Sequence, residues 1–215
     1  ALDLGWGGCT CNWGVHMAGL YETEQERDDI ILGFLHQGAV DGDLQLYCPA
    51  ERTVADFHRT YGTRYPDEAG HLQQEDRFQL YQARDLYYPE GTFSPIAMDT
   101  GLTAFYESSQ SHGHRNIRAT AEMVWALEAV PGVEHLMAYE ARLTYFIPNK
   151  AWISICLYHV TKFSGALIMD VLRTHPFTIS QGLITENPYY LPPDQWLASH
   201  APAFIPENRK AKTGD

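Results

Sequence analysis

Basic residues are scarce in this sequence. Lysine and arginine together number 15 against 27 aspartates and glutamates, a formal net charge of −12, and the one basic cluster is Arg209, Lys210 and Lys212 near the end. A surface of that sign repels a phosphate backbone, so the chain is not expected to bind DNA or RNA by itself. Long hydrophobic runs are missing as well. The longest, such as Ile153 to Tyr158 and Gly165 to Met169, fall far short of the roughly 20 residues that cross a bilayer, which points to a soluble protein without a membrane partner. No basic segment followed by an apolar one opens the chain, so a cytoplasmic location is expected. Cysteine is rare. Of the four present, Cys48 and Cys156 sit in apolar, strand-like runs as buried thiols do, and Cys9 and Cys11 are too close in sequence to bridge easily. A disulfide framework is therefore not expected. The sequence shows no internal repeat, low-complexity run or interdomain linker, and 215 residues with 45% hydrophobic positions suffice for one well-buried core. The expectation is a single domain over residues 1–215.

What the chain does contain is an alternation of strand and helix signals. Val15 to Tyr21 reads as a buried strand, and Thr23 with Glu26 offers a helix-opening capping box. Ile30, Ile31, Phe34 and Leu35 recur at helical spacing until "DGD" from Asp41, and Leu44 to Cys48 follows as a second strand. Thr53 to Tyr61 predicts a helix stopping at Gly62, and Phe78 to Ala83 alternates like a strand. Ser94 and Pro95 open a helix that runs to about His112. Asn116 to Thr120 reads as a fourth strand, Val133 to Ile147 as an amphipathic helix, and Trp152 to Val160 as a strand buried on both faces. Ser164 starts a helix ending before Pro176, a last extended stretch covers Thr178 to Ile184, and "NPYYLPPDQW" reads as turns. Strands separated by helices of this length predict an α/β fold with a mostly parallel sheet covered by helices on both faces.

Ligands of such sheets normally sit outside the carboxyl ends of the strands. The turn after the first strand reads "YETEQER", with neither glycine nor lysine, and Glu22, Glu24 and Glu26 put negative charge where a helix N-terminus would otherwise attract phosphate. Gly5, Gly7 and Gly8 lack the Gly-Lys-Ser/Thr ending of a phosphate loop. Nucleoside triphosphate hydrolysis is not expected. Serine hydrolase chemistry is set aside too, since no G-x-S-x-G elbow occurs and Ser154 lies in a core strand. There is no H-E-x-x-H, and His112 and His114 belong to the polar loop "SHGHRN". Cys9, Cys11 and His16 carry good zinc or copper donors. Structural zinc sites, however, need a fourth ligand, and no second cysteine pair supplies one. The expectation is no metal, with those three residues as the alternative site.

Six segments in order carry a family resemblance: "WGVHMAGLYET" (13–23), "RATAEMVWAL" (118–127), "AYEARLTYF" (138–146), "ICLYHVTKFSG" (155–165), "VLRTHP" (171–176) and "ENPYY" (186–190). The chain resembles the MEDS family, the sensory domain named for methanogens, methylotrophs and the dichloromethane-responsive regulator DcmR. The similarity extends over 13–197, leaving 1–12 as a lead-in and 198–215 as a tail. It implies a degenerate RecA/KaiC-like three-layer sandwich that has lost its phosphate loop, serving as a non-catalytic sensor of small organic compounds such as hydrocarbon derivatives. It also implies an output, transcriptional or signalling, on another segment or chain, because no helix-turn-helix signal appears here. The chain departs from the pattern at His159, where the family commonly has Asp, and at Ala121, where glycine often precedes Glu.

The candidate ligand-binding residues are His16, Tyr21, Arg118, Glu122, Trp125, Glu140 and Tyr158. Arg118 and Glu122 are placed to pair at the end of the fourth strand while Trp125 walls a pocket; the structural alternative is a strand-to-helix clamp and a core indole. Glu140, on an apolar helix face, needs a partner, which Arg118 or Arg142 would supply. His16 is expected on the face opposite its core-packed neighbours, either as a ligand contact or as a hydrogen-bonded core histidine. Tyr21 and Tyr158 end central strands, where a phenol offers an apolar face and one hydrogen bond. His175 reads as a helix C-terminal cap. Two rival functions remain: a small-molecule enzyme using His16 with Glu122 or Glu140 as acid and base, and an interaction module whose site binds nothing. No cofactor is identifiable. The expected partners are a small organic ligand, an output module and a second copy of the chain.

Overall fold

A computed structural model describes residues 2–73, 76–113 and 116–210. Its elements are β1 (Leu2–Asp3), β2 (Thr10–Cys11), β3 (Val15–Tyr21), α1 (Glu24–Asp41), β4 (Leu44–Cys48), α2 (Val54–Arg64), β5 (Phe78–Leu80), α3 (Ala83–Tyr87) and α4 (Pro95–Ser111). They continue as β6 (Ile117–Glu122), α5 (Leu136–Phe146), β7 (Trp152–His159), α6 (Gly165–Thr174), β8 (Phe177–Ser180), β9 (Leu183–Glu186) and α7 (Pro193–His200). Among these residues seven strands form one sheet in the order β5-β4-β6-β7-β3-β8-β9. All neighbours are parallel except β9, which returns antiparallel to β8. The β1–β2 hairpin is separate.

The sheet is covered on both faces, giving three layers. One core packs α3, α4, α5, α6 and α7 against residues such as Ala18, Ala119 and Tyr158. The other packs α1 and α2 against Met17, Tyr47, Ile153 and Ile155. Successive residues of a strand point to opposite faces; β7, buried on both faces along its whole length, reads as a near-continuous apolar run because of it, whereas the equally buried β6 carries Arg118, Thr120 and Glu122 on one face. The predicted local signals hold at their positions, save that the Glu26 carboxylate accepts from the Glu22 N–H and not from Thr23, so the expected capping box is half formed. Thr23 Oγ1 accepts from the Glu26 amide at 3.2 Å, Ser94 caps α4 ahead of Pro95, and Ser164 caps α6. Helix α1 ends at Gly42 in the left-handed region (φ 75°), where its N–H reaches the Ala39 and Gly38 carbonyls.

Several expectations are corrected. Helix α2 runs through Gly62 to Arg64. The strand expected over Phe78 to Ala83 stops at Leu80, because Ala83 N–H turns to the Pro49 carbonyl and Gln82 Nε2 donates to Pro49 and Arg52 carbonyls, opening α3 instead. The extended stretch over Thr178 to Ile184 is two strands. Gln181 and Gly182, both with positive φ (49° and 75°), turn the chain between paired Ser180 and Leu183, as a two-residue hairpin with matching twist requires. The turn-rich segment before the tail contains α7, launched by Pro193. Among the described residues no helix is long and apolar enough to cross a membrane.

Candidate functional site

The pleat divides the expected site residues between the two faces. At the carboxyl ends of the strands, on the α1–α2 face, Glu122 accepts from Tyr47 OH at 2.5 Å and from the Ala50 and Glu51 amides at 2.8 Å each. Arg27 Nε and Arg52 Nε approach its Oε1 at 3.6 Å. Tyr21 OH donates to Glu51 at 3.0 Å, Arg27 also reaches Glu51 at 3.1 Å, and Lys162 pairs with the same carboxylate. Burial alone would raise the Glu51 carboxyl, but its bonds to Lys162 and Tyr21 and the Arg27 charge hold it below the usual range. Burial, then Glu51 and Glu122, pushes Tyr21 up, and burial with Glu122 does the same to Tyr47. His159 stands beside Tyr21, ring centroids 4.9 Å apart. The protein's own charges thus fill the strand ends.

Arg118 lies at the opposite end of β6. Its Nε and Nη2 bond Asp43 and Asp41 at 2.7 Å each, its Nη1 bonds the Asp3 carbonyl at 2.8 Å, and its guanidinium lies over Phe34. The expected pairing of Arg118 with Glu122 is therefore corrected. The two share a face, but four residues of strand, about 13 Å, separate them. Arg118 instead ties the N-terminal hairpin and the end of α1 to the sheet.

The other face carries a compact buried cluster. His16 Nε2 lies 3.2 Å from Glu140 Oε2 and 3.4 Å from Cys156 Sγ, and His175 Nε2 lies 3.4 Å from the same Glu140 oxygen. All four residues are buried. Tyr158 OH donates to the second Glu140 oxygen. Glu140 therefore answers neither Arg118 nor Arg142, which binds Asp99 at 2.6 Å and the Phe204 carbonyl. Burial, reinforced by His175, pulls His16 down to about 4 against the opposing pull of Glu140. Burial would raise Glu140, yet the two histidines hold it below the usual carboxylate range. Burial and Glu140 push the Cys156 thiol well up.

His16 thus faces the covered side away from Met17 and Tyr21, as expected. The same alternation rules out Glu122 as its acid-base partner, since that carboxylate is on the far face. It also dissolves the Cys9, Cys11 and His16 grouping. Cys9 Sγ contacts the Gly182 carbonyl at 3.4 Å, and Cys11 packs against the α1-side core, its thiol raised to about 11 chiefly by burial. Cys156 and His175 escaped the sequence reading as site members. The signal for Cys156 was parity: Ala18 lies opposite it in register, so the thiol projects from β7 on the face that His16 takes on β3. His175 does bond a last-turn carbonyl, Nδ1 to Val171 O at 2.8 Å, and the cap role hid its other nitrogen.

Trp125 stacks on Tyr87 at 4.7 Å and sits against Phe93. Tyr87 in turn lines a cleft of about 530 Å³ between β4, α3 and α4, with Leu46, Leu86, Met98, Leu102 and Phe105 as its apolar wall and Glu90 and Ser94 among its polar lining residues. His112 bonds the Ser108 carbonyl at 2.8 Å and is exposed; His114 lies outside the described residues.

The strand order and the helical cover define an α/β protein of the RecA/KaiC class. The flagellar accessory protein FlaH from Methanocaldococcus jannaschii has this fold, with a TM-score of 0.57 at 14% identity over 85% of this chain and 80% of that one. So does the KaiC-like protein PH0186 from Pyrococcus horikoshii OT3, with a TM-score of 0.50 at 12% identity over 77% and 70%. Within that class the chain belongs to the MEDS family, the MEthanogen/methylotroph, DcmR Sensory domain, whose model matches residues 15–176. No curated protein matches it.

Proposed function

We propose that this chain is a non-catalytic sensory domain that takes a small, mostly apolar organic molecule, such as a hydrocarbon derivative, in the cleft between α4 and the β4–α3 segment. The observation that carries this reading is the cleft itself: about 530 Å³, walled by Leu46, Leu86, Met98, Leu102 and Phe105, with a few polar groups among its lining. That size and lining suit a small organic ligand. The ion-paired strand ends and the acidic turn after β3 argue against a nucleotide. Trp125, stacked behind Tyr87, supports the wall from within. Binding biases α4 between two positions, and an output module on another segment or chain reads the change. A thermal-shift and native mass spectrometry panel of small halogenated, methylated and aromatic compounds tests it. Saturable stabilisation that disappears when Gly101→Leu fills the cleft is the expected result, and no binding across the panel refutes the reading.

A further inference from the structure

The four buried residues on the β3–β7 face have the arrangement of a coordination shell. Nε2 of His16, one carboxylate oxygen of Glu140, Sγ of Cys156 and a ring nitrogen of His175 all lie within 4.8 Å of one another, and no other such group of three or more occurs among the described residues. Three of the pairs measure 3.2, 3.4 and 3.4 Å. A tetrahedral zinc with bonds of about 2.0–2.3 Å holds its donors about 3.3–3.8 Å apart, so the shell needs only small side-chain adjustments to close on an ion.

We propose that His16, Glu140, Cys156 and His175 form a four-donor site for a divalent transition metal, zinc foremost, between the sheet and helices α5 and α6. Three observations support it besides the distances. Glu140 Oε2 and His175 Nε2 are buried, lie 3.4 Å apart and have no hydrogen bond of regular geometry, so both are available as donors to an ion. The outer atom of each of three donors is already held: His175 Nδ1 by Val171 O at 2.8 Å, His16 Nδ1 by Thr144 Oγ1 at 3.4 Å, and Glu140 Oε1 by Tyr158 OH. Such partners fix the ring orientation and tautomer that present Nε2 to a metal. The charges also balance. A dication with the Glu140 carboxylate, the Cys156 thiolate and two neutral imidazoles has no net charge, which a water-free interior tolerates where an unmatched carboxylate is costly. On binding, the Cys156 S–H bond breaks, its proton goes to solvent and its electron pair to the metal. None of the four residues lines the cleft, so this site stands independently of the proposed function.

The test is metal content and cobalt spectroscopy on the chain produced in zinc-supplemented medium and purified without chelator. Zinc near stoichiometric in the wild type is expected. Refolding with Co²⁺ should give the visible absorption of a tetrahedral site together with a thiolate-to-cobalt charge-transfer band. Cys156→Ser and His175→Gln should lower zinc content at least about ten-fold, with loss of the charge-transfer band in Cys156→Ser. Cys9→Ser with Cys11→Ser should leave zinc content and the cobalt spectrum as in wild type. Traces of zinc only in folded wild type, together with no cobalt spectrum, overturn the proposal whether or not the variants fold. So does metal that is lost with Cys9 and Cys11 or kept in both Cys156→Ser and His175→Gln.

Discussion

Replacing Glu122 by glutamine tests whether the charged groups at the strand ends act as a clamp. The carboxylate is fully buried and accepts three hydrogen bonds, from Tyr47 OH and from the Ala50 and Glu51 amides, with Arg27 and Arg52 at 3.6 Å. A glutamine has one acceptor oxygen, so its NH₂ must face either the two backbone donors or the Tyr47 hydroxyl. Breaking a buried ion pair from one side costs about 3–5 kcal/mol. The lower end applies here, because Arg27 keeps Asp28 and Glu51 at 3.1 Å each and Arg52 keeps Asp28 at 2.8 Å. For a chain of this size each kcal/mol moves Tm by about 2–4 °C, so the expected fall is about 6–12 °C. Scanning calorimetry measures it, and a double-mutant cycle with Arg52→Met should return a coupling of about 0.5–3 kcal/mol. A Tm within about 1 °C of wild type refutes the clamp, since that is how exposed, screened pairs behave.

Gly101 lies inside α4 with nothing within 4 Å of the position a Cβ would take, so Gly101→Ala should stabilise by about 1 kcal/mol in urea denaturation; destabilisation would mean that the cleft beside it is not open. Gly132 has φ 89° and a Cβ there would collide with the Phe93 carbonyl, so Gly132→Ala should cost at least about 1–2 kcal/mol by the same assay. Arg118→Lys keeps a charge but cannot reach Asp43, Asp41 and the Asp3 carbonyl together, and a loss of about 1.5–3 kcal/mol is expected. An unchanged urea midpoint would show that the three-way contact adds nothing.

The elements written locally in the chain were legible before any coordinates. Thr23, Ser94 and Ser164 cap the helices they were expected to cap, and the runs at β3, β4, β6 and β7 are strands, because capping and apolar patterning need only near neighbours. The RecA/KaiC-like fold was legible through the six family segments. Pro193 at the first helical position was a start signal for α7 that the turn-like composition of its neighbours masked, and local chemistry gave no warning of Gln181 in the left-handed region. Pairings between side chains were least legible, since they depend on which strands are neighbours and on their register. His16, Glu140, Cys156 and His175 each lie in one of the family segments, yet only the β3–β7 pairing and the packing of α5 and α6 bring them together. Arg118 and Glu122 failed as a pair for the converse reason: nearness in sequence along a strand is distance in space.

The sheet order sets a timetable for folding. Strand β3 pairs with β7 and β8, with Val15 opposite Ile153 and Met17 opposite Phe177, so the first strand of this sheet to be synthesised has no edge to join until almost the last of the sheet has been made. Contacts this distant in sequence slow folding. In the interval the buried face of β3 is exposed to other molecules. A nascent chain halted just before Trp152 should therefore leave Val15 to Tyr21 open to protease, and one carried past Glu186 should protect it.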